Sequence, residues 1–342
     1  MNILFYGLGG VGQRHLRNVS HLAESVKVAA IRHTSNTFEI DDNLKVNHNV
    51  DIIKKYNISI YHDLSDAINK FKPDIAIIAS PSSYHSILAL ELIKNKIHVF
   101  VEKPISTNLE NLDSITKYLN KSNTKLCVNY MMRSHPIFKK LRKLIKDKYI
   151  GRILSAQFVH NSYFPSWHEY ENYQDLYAGK KNLGGGTILT NIHMIDLIYC
   201  LFGLPKKVTT IGGRLSSLNI DVEDTIACLL QYEIDDQLIP VTLNLSFVQK
   251  PDLNEITINS ERGKIILSFD HNQLTMVKDN EVKEYIRDDY KRNDLFVDCL
   301  KEFLLSVQKD CDVDTSYFNV IEGHFLALKI KESLNTNKPI KV

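Results

Sequence analysis

The sequence predicts an α/β protein: a doubly wound parallel sheet comes first, followed by a second α/β region built on a large antiparallel or mixed sheet. Three observations carry this. Short apolar runs alternate with helix-period runs as far as about residue 130. Beyond Gly151 apolar runs follow one another with no helix between them. A glycine-rich turn joins the first strand to the first helix. Alternating strands and helices argue for parallel pairing, and consecutive strands for antiparallel or mixed pairing.

The elements follow in order. Residues 2–7 (Asn-Ile-Leu-Phe-Tyr-Gly) form a short apolar strand, and a helix pattern runs over 10–22. Strands are expected at 26–31 and 56–61, with a helix at 64–70. Asp74-Ile75-Ala76-Ile77-Ile78-Ala79 reads as a fully buried strand, and 86–94 as a helix. The strand Ile97-His98-Val99-Phe100-Val101, a helix near 109–119 and a strand at 125–129 complete a first domain over 1–130. The second domain, 131–342, opens with a strand at 153–160 and an irregular, aromatic-rich stretch over 161–183. Gly184-Gly185-Gly186 then precedes a helix from Thr187 to about Phe202. Strand-like runs lie near 207–213, 224–234, 239–248, 254–260, 264–269 and 273–277. A helical tail over 294–334 is expected to pack back on the first domain.

Size and composition narrow the function. A chain of 342 residues holds about two domains, each able to bury a core. Its 44% hydrophobic and 24% charged content is that of a globular protein. A net charge of +2 supplies no field for nucleic acid or a membrane surface. With no apolar run of membrane-spanning length and no leader-like N-terminus, a cytoplasmic location is expected. The five cysteines are scattered and form no CxxC pair, and the 13 histidines fall into no HxxxH or HExxH spacing. They suggest reduced thiols and no metal site.

The chemistry begins at Gly7-Leu8-Gly9-Gly10-Val11-Gly12, a GxGxxG pattern between a strand and a helix. Such glycines permit a tight turn and close backbone approach, and the helix N-terminus offers N–H donors and a positive dipole to a pyrophosphate. Gly7, Gly9, Gly10, Val11 and Gly12 are therefore the first cofactor residues. An acidic residue ending the second strand would bind a ribose 2′-hydroxyl. Here that strand ends Ile31-Arg32-His33-Thr34-Ser35, with no carboxylate before Glu39. Arg32, Thr34 and Ser35 suit a 2′-phosphate instead, so NADP(H) is expected ahead of NAD(H). After the fourth strand, Ser80, Pro81 and His85 offer a backbone approach to the nicotinamide ribose, although the same residues suit an ordinary β-to-α turn.

Glu102-Lys103-Pro104 closes the next strand. Proline fixes its own φ and biases the preceding residue to extended geometry, so the turn presents Lys103 where ligands of open parallel sheets lie. Glu102 joins the cofactor set, and Lys103 is the candidate acid/base.

From these residues the chain resembles the Gfo/Idh/MocA oxidoreductases (glucose–fructose oxidoreductase, inositol dehydrogenase and relatives). The likeness runs through Gly7–Gly12 with Gln13-Arg14-His15, Ser80-Pro81 with His85, Glu102-Lys103-Pro104, and Asn129-Tyr130 with Arg133 and His135-Pro136. It continues through Gly184-Gly185-Gly186, His193 and Asp196 to Arg292-Asn293-Asp294. Trp167-His168-Glu169-Tyr170-Glu171-Asn172-Tyr173 and the stretch from Ala178 to Gly186 resemble the branch of bacterial surface-glycan and nonulosonate pathways. The resemblance implies an N-terminal Rossmann domain and a C-terminal α/β domain whose mostly antiparallel sheet forms homodimers or homotetramers. It implies hydride transfer between a nicotinamide and a carbinol or ketone carbon of a sugar or nucleotide-sugar. It implies Lys103 and His193 as the acid/base pair.

Thr190 stands where many relatives carry Asp, and a hydroxyl cannot supply that negative charge. Three residues apart on one helix, Thr190 and His193 are expected to share a face, with Asp196 either orienting His193 or packing structurally. Trp167, His168, Tyr170 and Tyr177, with Tyr163 and Tyr173, offer flat faces with polar tips for a sugar, and Asn191 joins this substrate set. Arg133, Lys180 and Lys181 could meet a phosphate or carboxylate, or the aromatics could simply fill a loop core and the lysines be solvated. A glycosidase using transient NAD-dependent oxidation and a non-catalytic dinucleotide sensor are the rival readings.

Overall fold

The computed structural model describes residues 1–342 except 24, 33–35 and 169. The chain divides into two compact units. The first comprises Met1–Tyr130, His168–Asn172 and Phe296–Asn319. The second comprises Met131–Trp167, Tyr173–Leu295 and Val320–Val342.

The first unit runs β1 (Asn2–Tyr6), α1 (Gly10–Leu22), β2 (Lys27–Ile31), β3 (Phe38–Ile40), β4 (Val46–Asp51), α2 (Ile52–Lys55), β5 (Ser59–Tyr61) and α3 (Leu64–Phe71). It continues through β6 (Ile75–Ile78), α4 (His85–Lys94), β7 (His98–Val101), α5 (Leu112–Leu119) and β8 (Leu126–Val128). The main sheet has the order β5-β2-β1-β6-β7-β8 and is parallel throughout. This is the doubly wound Rossmann order, and the strand order reverses between β1 and β6. Ile3, Leu4, Phe5, Ile75, Ile77, Val99 and Phe100 are buried, as strands covered on both faces require. Helix α1 turns Gly12, His15, Leu16 and Val19 inward, one stripe at helical spacing. The β3–β4 hairpin is not legible in the sequence, because Val46–Asp51 carries three consecutive polar residues and no period-two alternation.

The second unit opens with α6 (Pro136–Lys146), which has proline in its first turn and an apolar stripe of Ile137, Phe138, Leu141 and Leu144. That signal is present in the sequence but lies outside the strand-based reading above. Then come β9 (Ile153–Tyr163), α7 (Thr187–Thr190), α8 (Ile192–Phe202), β10 (Lys207–Gly213), β11 (Thr225–Ile234), β12 (Gln237–Ser246) and β13 (Val248–Ser260). The chain ends with β14 (Gly263–Ser268), β15 (Gln273–Lys278), β16 (Glu281–Ile286), α9 (Arg292–Lys309), α10 (Tyr317–Thr336) and β17 (Ile340–Lys341). The sheet order is β16-β15-β14-β13-β9-β12-β11-β10-β17. Only the β9–β12 pair among the described residues of this sheet is parallel. Among the described residues, no single helix is long and apolar enough to cross a membrane.

One helix expected to be continuous is broken. Asn191, at φ −94° and ψ 24°, separates α7 from α8. Thr190 ends the first helix and His193 lies in the first turn of the second, so they do not share one regular helix face as expected.

Candidate active site

In the first unit the glycine turn is built by two close approaches. Gly7 has φ +94°, and a Cβ on it would stand 2.7 Å from the Ala79 carbonyl oxygen. A Cβ on Gly12 would stand 2.3 Å from the Gly7 carbonyl oxygen. Only glycine fits both positions. Gly9 is different: a Cβ there meets nothing within 4 Å. The turn is closed on the protein side and open above Gly9, at the N-terminus of α1. That opening fits a pyrophosphate lying against the first N–H groups of α1.

Around this turn the ends of β6 and β7 are tied together. His85 is fully buried, with Nδ1 2.7 Å from the Pro104 carbonyl oxygen and Nε2 2.8 Å from that of Ser80. Burial drives its pKa down, while the two carbonyls and Glu102 favour the charged ring. This corrects the expectation for His85: the ring joins two strand ends and is not presented to a ligand. The Lys103–Pro104 bond is cis, and Lys103 is half-buried beside it.

Glu102 is held by partners from within the same unit. Its Oε1 is 2.7 Å from His15 Nε2 and accepts from Asn129 Nδ2 at 2.7 Å. His15 is 0% exposed, packed edge-on against Phe100 and Phe296, and its Nδ1 has no hydrogen-bond partner. Its hydrogen therefore sits on Nε2 and is donated to the carboxylate. Burial raises the Glu102 pKa, but His15, Lys103 and Asn129 together hold it below the ordinary value. The sequence signal for His15 is a histidine on the buried stripe of α1, and Asn129 carries none.

At the end of β2, Arg32 is half-buried and donates to the Asn36 carbonyl. Burial lowers its pKa, and Asp51 opposes that. Thr34 and Ser35 lie outside the described residues. Ser80 and Pro81 are half-buried at the mouth of β6, and Val11 is exposed on the first turn of α1.

The second unit holds His193, half-buried on α8, and Thr190, buried at the end of α7. Asn191, expected to reach substrate, is buried and gives its side-chain amide to Thr187 Oγ1 at 3.1 Å. Arg133 is also corrected. Its guanidinium is buried against the carboxylate of Asp196, an internal anion where a substrate anion was expected, and Asp196 takes the structural packing role. Glu223 Oε1 accepts from the Ile188 N–H at 3.2 Å and bears on Gly186, which has φ +105°. Burial raises the pKa of this carboxyl, which the sequence reading did not single out.

The aromatic run is divided. Trp167, Tyr173 and Tyr177 pack on a buried cluster of Phe164, Leu176, Ala178, Ile220, Val222 and Phe247, and the Trp167 indole donates to Ser162. Here the loop-core alternative holds. His168 and Tyr170 belong to the first unit, their rings stacked at 5.3 Å. Lys180 pairs with Asp175, and Lys181 is exposed.

Two family models match: the NAD-binding Rossmann oxidoreductase family over residues 1–130, and the GFO/IDH/MocA C-terminal domain over 138–266. The chain belongs to the Gfo/Idh/MocA family. It is 33% identical over 146 residues to the 2,7-anhydro-N-acetylneuraminate hydratase of Escherichia coli, covering 42% of this chain and 37% of that one. It is 25% identical over 297 residues to the inositol 2-dehydrogenase/D-chiro-inositol 3-dehydrogenase of Halalkalibacterium halodurans, covering 77% and 78%. The matches to the E. coli hydratase and two further relatives span 37%, 63% and 43% of those proteins' lengths. Among solved structures, the Gfo/Idh/MocA chain superposes on the WlbA dehydrogenase of Bordetella pertussis, in complex with NADH and UDP-GlcNAcA. The TM-score is 0.80 at 19% identity, over 100% of this chain and 98% of that one, a likeness of fold alone.

Proposed function

We propose that the protein is an NADP(H)-dependent oxidoreductase acting on a carbinol or ketone carbon of a sugar or nucleotide-sugar, in bacterial surface-glycan biosynthesis. The observation that carries this is one Rossmann unit holding both the glycine turn, open above Gly9, and Lys103 at the end of β7. The nicotinamide supplies or accepts the hydride when bound. Lys103 gives or takes the proton at the substrate oxygen, and His193 shares that transfer. Glu102, held by His15 and Asn129, keeps a fixed carboxylate next to Lys103 in the chain. Arg32 and the lack of a carboxylate ending β2 support NADP(H). A Bacillus subtilis relative is named as an NADP(+)-dependent scyllo-inositol dehydrogenase. UDP-GlcNAcA in the WlbA complex supports a nucleotide-sugar.

Assembly as a homodimer or homotetramer through the second unit's sheet is supported by its outer face. Ile211, Leu229 and Leu238 are exposed on β10, β11 and β12. Light scattering would give the mass, and Leu238→Lys should reduce it.

Keto-sugars and hydroxy-sugars, free and nucleotide-linked, should be screened with NADPH and NADH by absorbance. A tighter complex with NADH would refute the NADP(H) preference. No absorbance change with any substrate, despite dinucleotide binding, would refute the oxidoreductase reading. The hydratase name of the E. coli relative favours one second reading, transient oxidation with no net redox change. It predicts product at constant NADPH absorbance.

A further inference from the structure

The segment after Trp167 leaves the second unit and joins the first for residues 168–172 before the chain returns. Its end point is specific. A Cβ built on Gly10, the first residue of α1, would stand 3.1 Å from the Tyr170 hydroxyl, with Leu44 and Ile40 at 3.4 and 3.8 Å. Tyr170 thus forms a side wall of the first turn of α1, one residue from the opening at Gly9. Its neighbours define its chemistry. His168 Nδ1 lies 2.6 Å from Glu171 Oε1. A phenol hydroxyl can both donate and accept, so a ligand group that does the same, a hydroxyl, suits it.

A dinucleotide has such groups in its ribose hydroxyls. In the usual arrangement a carboxylate ending β2 accepts from the adenosine ribose, and here β2 ends Ile31-Arg32 without one. We infer that Tyr170, with its neighbours His168 and Glu171, is part of the dinucleotide site, and that the Tyr170 hydroxyl hydrogen-bonds to a hydroxyl of the adenosine ribose. Burial and the Glu171 charge both raise the phenol pKa, so the hydroxyl stays protonated at neutral pH. This inference rests on the dinucleotide reading of the first unit and adds a residue that the glycine pattern does not contain.

Calorimetric titration of the full chain with NADH, NADPH, ADP, 2′-deoxy-ADP and 3′-deoxy-ADP tests it, using wild type and Tyr170→Phe. Loss of one such bond should weaken ADP and NADH binding by about five- to tenfold in Tyr170→Phe. One deoxy-ADP should bind wild type about that much more weakly than ADP does, with no further loss in the variant. Equal binding of ADP and both deoxy forms to wild type would overturn the proposal, whatever the variant's folding. So would additive losses from deoxy-ADP and Tyr170→Phe. If wild type binds neither NADH nor NADPH, the dinucleotide reading itself fails, an outcome distinct from the other two.

Discussion

The Arg133 guanidinium holds both oxygens of the Asp196 carboxylate, with Nε at 2.8 Å and Nη2 at 2.6 Å, and both side chains are almost wholly buried. Arg133 lies in the turn before α6 and Asp196 on α8, the helix of His193. The pair therefore fixes α8 against that turn. Removing one partner strands a buried charge, which costs about 3–5 kcal/mol, whereas replacing both by apolar residues costs far less. Arg133→Met should lower the melting temperature clearly, and Arg133→Met with Asp196→Leu should recover most of the loss. Equal melting of the single variant and wild type would refute the role.

The glycines should separate structural from ligand effects. Gly12→Ala drives a Cβ to 2.3 Å from the Gly7 carbonyl oxygen and should lower both stability and dinucleotide affinity. Gly9→Ala meets no protein atom within 4 Å, so its melting curve should match wild type while NADPH affinity falls. Unchanged NADPH affinity in Gly9→Ala would place the pyrophosphate elsewhere.

Glu102 should mark the acid limb of stability. Its pKa is held below the ordinary 4.5, so the folded state favours the carboxylate. The resulting stability is present above pH 4.5 and is lost as pH falls through the folded value. Glu102→Gln should therefore melt lower than wild type at pH 7, and the two curves should converge as pH falls below 4.5 and through the folded value. Parallel curves at all pH values would exclude an ionic role.

Two buried histidines act in a higher window. Burial lowers His324 to a pKa of about 3 and His135 to about 4. The unfolded ring, at 6.5, binds more protons than the folded one, so stability is constant above pH 6.5 and falls as pH drops toward those values. Neither His324 nitrogen has a hydrogen-bond partner. His324→Leu should gain about 1–2 kcal/mol at pH 7 and flatten the decline between pH 6 and 4, measured by thermal melts. An unaltered slope would contradict this.

Lys103→Ala and His193→Ala should each reduce kcat by about two orders of magnitude or more while NADPH binding persists. Near-normal turnover in either variant would remove that residue from the chemistry.

Sequence alone determined the parallel first sheet, the mostly antiparallel second sheet, the glycine turn at Gly7–Gly12 and the position of Lys103. Each is written in local spacing, because strand and helix periods and the steric demands of glycine and proline act over a few residues. Tertiary structure decided what those residues touch. Arg133 has the composition of an anion receptor, but Asp196, 63 residues later, occupies its guanidinium. His15 and Glu102, 87 residues apart, become one buried pair only when α1 packs beside β7. The aromatic stretch of 161–183 has one composition and two destinations: Trp167 and Tyr177 fill a core, and Tyr170 reaches Gly10. Burial and long-range charge pairing set those outcomes, and neither has a period that a linear sequence displays.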